Sequence, residues 1–281
     1  MNYHKVALVA CSNGLQSDEH RSVDALIEYL NGIGTETVCS PYIYAETVSK
    51  DLDTKRNTTG ENRAKVLMDF FEDDSINAIF DISGGDLGNE ILPYLDFKVI
   101  KKHPKIFYGY SDLSTVCNAI YTKSGIATGL FQVKTLVWDE TGVKKSWFEG
   151  WDGKTDIEFE FIQGRTMSGT AVGGNIRCFL KLAGTEYFPD LKGKVLVLES
   201  WGGLLPQSIT GLAQIAQMPG FKDLKGIILG TFTQLDEAGQ RNALEKEVLK
   251  IAGDIPVAVT KEIGHDKMCK RIMLGEEISL S

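Results

Sequence analysis

Ser111, Glu199 and His265 are the residues of this 281-residue chain whose types and settings could carry covalent chemistry. Ser111 stands in Gly109-Tyr110-Ser111-Asp112, after the apolar Ile106-Phe107-Tyr108 and before a segment to Ser124 that reads as a helix. A serine at a strand-to-helix turn stands clear of both elements, with the unpaired N–H groups of the first helical turn beside its hydroxyl. Leu113 replaces the second glycine of the G-x-S-x-G elbow, so the stretch taken alone also reads as a serine N-cap with an acidic residue behind it. His4 lies in a terminus, His20 at a charged helix start and His103 in the basic turn Lys101-Lys102-His103-Pro104-Lys105, whereas His265 follows an apolar strand and a glycine. That setting presents an imidazole at a sheet edge, the alternative being a buried structural histidine. Glu199 ends the apolar run Val195-Leu196-Val197-Leu198, where an acid is hard to explain as part of a solvated face, although an ordinary ion pair is the other reading. A serine needs a base to take its proton as it attacks a carbonyl, and a carboxylate fixes the imidazole tautomer and stabilises the imidazolium. The three residues fit those roles. The tetrahedral oxyanion needs fixed donors, and the N–H of Asp112 together with that of Gly85 or Asp86 are the candidates. Arg177 is a possible cation for a substrate carboxylate or half of a structural ion pair, and with Asp86 it forms the expected set of substrate contacts.

These residues fall at the ends of elements that alternate strand and helix. Residues 1–135 read as a parallel α/β unit: a strand over Lys5 to Ala10, a helix opening at Ser17-Asp18-Glu19 and ending near Gly32, a strand over Thr35 to Ser40, a polar loop over 49–59, a helix over Glu61 to Phe71 and a strand over Ile76 to Ile82. Ser83-Gly84-Gly85-Asp86-Leu87-Gly88 then follows at a carboxyl end, the edge where open α/β sheets bind ligands. Residues 136–165 change character, with Trp138, Trp147, Phe148 and Trp151 among charged residues and an alternating run over 157–161; this predicts an interdomain crossover whose aromatics pack a hinge or wall a substrate. Residues 166–281 form a second α/β unit, with Ala171 to Asn175 leading into a helix through Leu182, strands over Val195 to Leu198, Gly226 to Leu229 and Ile255 to Thr260, helices over Leu204 to Ala216 and Asn242 to Ala252, and two short strands between Arg271 and Leu280.

Composition narrows the partners. A net charge of -8 argues against a nucleic-acid or anionic membrane surface, both of which ask for clustered Lys and Arg, leaving small molecules or peptides. The apolar run over 6–11 is too short for a signal-peptide core or a membrane span, so a cytoplasmic protein is expected. Five scattered cysteines, never paired as C-x-x-C, read as reduced and mostly buried thiols. No G-x-G-x-x-G follows the first strand, and there is no G-x-x-x-x-G-K-[ST] or H-E-x-x-H, so neither cofactor nor metal is expected. Gly84-Gly85 is then a loop that lets backbone approach a substrate oxygen, or a plain turn.

The chain resembles the LD-carboxypeptidase family of serine peptidases, which includes the microcin C immunity peptidases. The resemblance spans nearly the whole sequence: the Gly-Gly loop with Leu92-Pro93-Tyr94-Leu95-Asp96, Gly109-Tyr110-Ser111-Asp112, Gly173-Gly174-Asn175, Leu182-Ala183-Gly184-Thr185 with Tyr187-Phe188-Pro189-Asp190-Leu191, the strand ending in Glu199, Lys225 to Gly230, and Gly264-His265. It implies a flavodoxin-like N-terminal domain and a smaller mixed α/β C-terminal domain, a homodimer, and an active site between domains. It also implies Ser111 as nucleophile, Glu199 and His265 as its partners, and the N–H groups of Asp112 and Gly85 as the oxyanion donors. Two departures bear on the substrate pocket. Gly129-Leu130-Phe131-Gln132 stands where the family commonly has His-Gly-Pro, and the segment after His265 lacks the customary proline. A murein-derived peptide, a peptidyl or aminoacyl nucleotide, and a ligand held without turnover are the three readings that result.

Overall fold

A computed structural model describes residues 3–47, 55–151 and 157–281. Two six-stranded sheets form its frame. The strands are β1 (Lys5–Val9), β2 (Glu36–Cys39), β3 (Glu46–Thr47), β4 (Lys55–Arg56), β5 (Ala78–Asp81), β6 (Ile106–Gly109), β7 (Thr128–Leu130), β8 (Glu160–Gln163), β9 (Met167–Asn175), β10 (Lys194–Ser200), β11 (Gly226–Phe232), β12 (Val257–Val259), β13 (Ile272–Leu274) and β14 (Glu277–Leu280).

The first sheet runs β13-β7-β6-β5-β1-β2, parallel apart from β13 at its edge. The order of its parallel strands is that of a flavodoxin-like doubly wound sheet, whose chain reverses between β1 and β5. Val6, Ala7 and Leu8 are fully buried, as expected for a strand covered by helices on both faces. Helix α1 (His20–Gly32) turns Val23, Leu26 and Leu30 inward, one helical turn apart. Helix α2 (Gly60–Glu72) is capped by Thr59, whose hydroxyl accepts from Asn62 N at 3.2 Å, and buries Ala64, Leu67 and Phe71. Part of the polar loop expected over 49–59 lies outside the described residues.

The second sheet runs β14-β9-β10-β11-β12-β8, with a parallel centre and antiparallel strands at both edges. Two elements differ from the sequence expectation. The strand over 157–161 sits at 160–163, and the helix expected after Asn175 and through Leu182 is a single helical turn over Ile176–Phe179 continued by a 3₁₀ turn over 180–182. Met167 to Thr170 lengthen β9 beyond the glycine-rich stretch where a helix entry was expected. The two halves are stitched together twice. Helix α4 (Ser114–Ser124) packs on β9, with Asn118 exchanging hydrogen bonds with the Gly173 peptide at 2.7 and 3.0 Å. The last strands then divide between the sheets, β13 pairing with β7 and β14 with β9.

Candidate active site

Ser111 sits where β6 ends and a 3₁₀ turn opens α4. Its φ of 54° makes it the one non-glycine residue in the left-handed region among the described residues. An L residue there costs about 1–2 kcal/mol, and such strain persists only where the surroundings over-determine it. Ser111→Gly is therefore expected to raise thermal stability by about 1 kcal/mol while removing the hydroxyl; unchanged or lowered stability in calorimetry would mean that the turn is not strained.

Glu199 is fully buried near the end of β10, at a register shift between Leu198 and Ser200 against β11. Such irregularities re-aim side chains beside active sites. Its Oε2 lies 2.7 Å from His265 Nδ1. His265 follows β12 on a loop that passes Gly264, whose φ of 150° and contact with Thr231 leave no room for a side chain. Lys144, on helix α6 (Val143–Glu149), closes that loop by donating to the carbonyls of Lys267 at 2.8 Å and Cys269 at 2.6 Å; burial lowers its ammonium to about 8. The Tyr110 ring meets the His265 ring edge-on at 4.9 Å. Burial first, and the Glu199 carboxylate second, push the Tyr110 hydroxyl well above the ordinary tyrosine value.

Two cavities meet at this point, and Ser111 and His265 line both. The smaller, about 320 Å³, has three lysines (Lys134, Lys144, Lys270) and two carboxylates (Glu19, Asp266) in its wall. Phe131 and Gln132, from the stretch that departs from the family pattern, line it as well. Helix α5 (Thr135–Trp138) and Lys134 before it belong to the same wall, with Lys134 Nζ 2.7 Å from Glu19 and over the Trp138 ring. The larger cavity, about 830 Å³, is bounded by Gly85, Asp86, Asn175, Ile176, Arg177 and Trp201, the last 56% exposed. The crossover aromatics divide accordingly: Trp151 and Phe148 pack together with Phe131, whereas Trp138 faces the smaller cavity.

The Gly84-Gly85 loop lies after β5 at the switch point of the first sheet. Gly85 has φ 129°, and a side chain there would collide with Asn13. Asp112 lies in the first turn of the 3₁₀ helix over Ser111–Leu113, where an N–H has no partner earlier in the helix, and Gly85 lies in the loop beside it. Asp86 and Arg177, expected as substrate contacts, pair with each other at the rim of the larger cavity, and Arg177 Nη2 also donates to the Gly85 carbonyl at 3.3 Å. The Arg177 head remains more than half exposed. No cluster of three or more His, Cys, Asp or Glu side chains able to hold a metal occurs among the described residues. Cys11, Cys117, Cys178 and Cys269 are buried free thiols, each pushed up by burial, and Cys39 is an exposed one.

Sequence reasoning missed Tyr110, Lys134, Lys144, Lys181, Trp201 and the Ser12-Asn13 pair. Tyr110 adjoins the serine, and Ser12-Asn13 follows the first strand at a carboxyl end, so both carried a positional signal. The lysines carried none, since each acts through partners far along the chain.

Two parallel-centred α/β units bring Ser111 from one and His265, bonded to Glu199, from the other to the walls of the same cavities, in a two-domain α/β architecture. The chain belongs to the LD-carboxypeptidase family of serine peptidases: residues 6–130 match its N-terminal domain and residues 168–280 its C-terminal domain. A Treponema pallidum protein named as a carboxypeptidase is 26% identical over 295 residues, covering 93% of this chain and 85% of its own. The microcin C7 self-immunity protein MccF of Escherichia coli is 23% identical, covering 81% of this chain and 78% of its own. Among solved structures, MccF in complex with glutamyl sulfamoyl guanosine superposes with a TM-score of 0.86 at 19% identity, covering 99% of this chain and 93% of that one. The muramoyltetrapeptide carboxypeptidase of Oxalobacter formigenes gives 0.79 at 20% identity, covering 99% and 95%. No described helix is long and apolar enough to cross a membrane.

Proposed function

We propose that this chain hydrolyses the amide to a terminal D-amino acid in a murein-derived peptide through Ser111, His265 and Glu199. The Ser111 hydroxyl attacks the carbonyl carbon as His265 Nε2 takes its proton, while the Nδ1–H donates to Glu199 and keeps Nε2 free to accept. The negative charge that develops on the carbonyl oxygen is held by the N–H groups of Gly85 and Asp112. The imidazolium then gives its proton to the departing amine, leaving an ester on Ser111, and water activated by the same imidazole releases the acid.

The observation that carries this reading is the meeting of two unequal cavities at Ser111 and His265. A single amino acid fits the smaller one, where Lys134, Lys144 and Lys270 are the cations a free carboxylate would meet; the longer acyl half, in contact with Asp86 and Arg177, occupies the larger. With a murein tetrapeptide as substrate, release of the terminal D-amino acid is expected, and Lys134→Met raises KM about tenfold with little change in kcat, as expected when a charge-assisted contact worth about 1.5 kcal/mol is lost in ground and transition state alike. The exposed Trp201 in the larger cavity favours one second reading, hydrolysis of a peptidyl or aminoacyl nucleotide whose base stacks on the indole. MccF has been solved with aspartyl sulfamoyl adenosine, a ligand of that chemistry. A processed microcin analogue cleaved while the tetrapeptide stays intact would decide for it. Binding of either compound without turnover would instead make the chain a ligand carrier.

A further inference from the structure

Asp112 contributes more than its backbone N–H. Its carboxylate is fully buried directly behind the serine, and three donors converge on it. Oδ2 accepts from the Ser12 hydroxyl at 2.6 Å and from Gly88 N at 2.6 Å, and Oδ1 accepts from Lys181 Nζ at 2.5 Å. Those donors come from the loop after β1, from the far end of the Gly84-Gly85 loop, and from the second half of the chain. A buried carboxylate needs such a set, because an unpaired charge there costs several kcal/mol.

The same groups hold the rest of the Gly-Gly loop. The Ser12 hydroxyl accepts from Leu87 N at 3.2 Å, Asn13 Oδ1 accepts from Asp86 N at 2.7 Å, and Lys181 also donates to the Asp86 carbonyl at 2.9 Å. The peptide groups on the C-terminal side of Gly85 are thereby tied down to Gly88.

We propose that the Asp112 carboxylate, charge-paired with Lys181 across the two halves of the chain, is the positioning residue that sets the distance between the two oxyanion donors. One end of the linkage is the residue that owns one donor, and the other end is three residues from the second. This rests on the serine-peptidase reading above. The carboxylate touches no substrate atom; it acts through the backbone. Misplaced donors weaken transition-state stabilisation and leave ground-state binding largely intact, so the signature is a loss in kcat.

The test compares wild type with Asp112→Asn, Lys181→Met and Lys181→Arg. Each is normalised to its active fraction by titration with a serine-directed phosphonate, and steady-state constants are measured alongside affinity for a substrate-like boronic acid, whose adduct is tetrahedral. Expected for Asp112→Asn and Lys181→Met is a fall in kcat of ~10²-fold, as for loss of one oxyanion donor, a KM within about threefold, and boronate affinity lower by the same factor as kcat. Lys181→Arg restores most of both. Lys181 is partly solvated, so Lys181→Met keeps the idea testable if Asp112→Asn does not fold. Wild-type kcat and boronate affinity in Lys181→Met would overturn the proposal, as would losses confined to active fraction or melting temperature. A wild-type enzyme whose Ser111 resists the phosphonate would sink the serine-peptidase reading itself, a different failure.

Discussion

Ser111→Ala and His265→Ala are each expected to lower kcat by about 10⁴-fold to 10⁶-fold, and the double variant is expected to lose no more than the worse single one. In the proposed mechanism nucleophile and base act as one unit: without the hydroxyl the imidazole has no proton to take, and without the imidazole the hydroxyl stays protonated. The two residues come from separate halves of the chain, one on the turn after β6 and the other on the loop after β12, and line the same cavities. A multiplicative loss in the double variant would show that they act in separate steps. Full activity in Ser111→Ala would remove the nucleophile assignment. Phosphonate labelling checks this independently of any substrate, since it reports acylation alone: both single variants should remain unlabelled. His265 meets the hydrophobic core only through the edge of the Tyr110 ring, so its replacement should leave the melting temperature near that of wild type, and a collapse of the fold would not be a catalytic result.

The parts of this arrangement legible in the sequence are those that depend on local patterns. Val6 to Ala10 announces a strand covered on both faces because no polar residue interrupts it, and Ile106 to Gly109 running into Ser111 announces a strand, a turn and a helix. Glu199 stood out because burial at a strand end is an expensive place for a carboxylate without a partner. What stayed hidden has three physical causes. Helices α5 and α6, four and seven residues long, are shorter than the window over which a 3.6-residue period can be read. Gly169, Gly173 and Gly174 lower the strand signal of β9, although the sheet needs small residues there because β10 and helix α4 approach its backbone closely. Pairings such as β13 with β7, Asp112 with Lys181, and Lys144 with the His265 loop join residues 69 to well over 100 positions apart, and no local pattern encodes the partner. The lysines of the smaller cavity were invisible for that reason, whereas the direction of the serine was not.

Glu199→Gln is the sharper test of the proposed chemistry, because it changes a charge while keeping the shape. The Oε2 atom lies 2.7 Å from His265 Nδ1, and in the proposed mechanism it accepts, holds the proton on Nδ1 and leaves Nε2 as the base. An amide can turn its NH₂ toward Nδ1 instead, which makes Nδ1 the acceptor and puts the proton on Nε2, where it cannot receive one from Ser111. The imidazolium formed during attack also loses its counter-charge. The expected fall in kcat is about 10⁴-fold with KM nearly unchanged, the size seen when the corresponding acid is neutralised in the serine-protease template. Stability should hold or rise, since a carboxylate fully withdrawn from water is replaced by a neutral group of the same volume. Nitrogen NMR of the imidazole gives the decisive reading, with the proton on Nδ1 in wild type and on Nε2 in the variant. A loss below about tenfold with the tautomer unchanged would reduce Glu199 to an ion-pair partner of the loop, and His265 would then need another group to orient it.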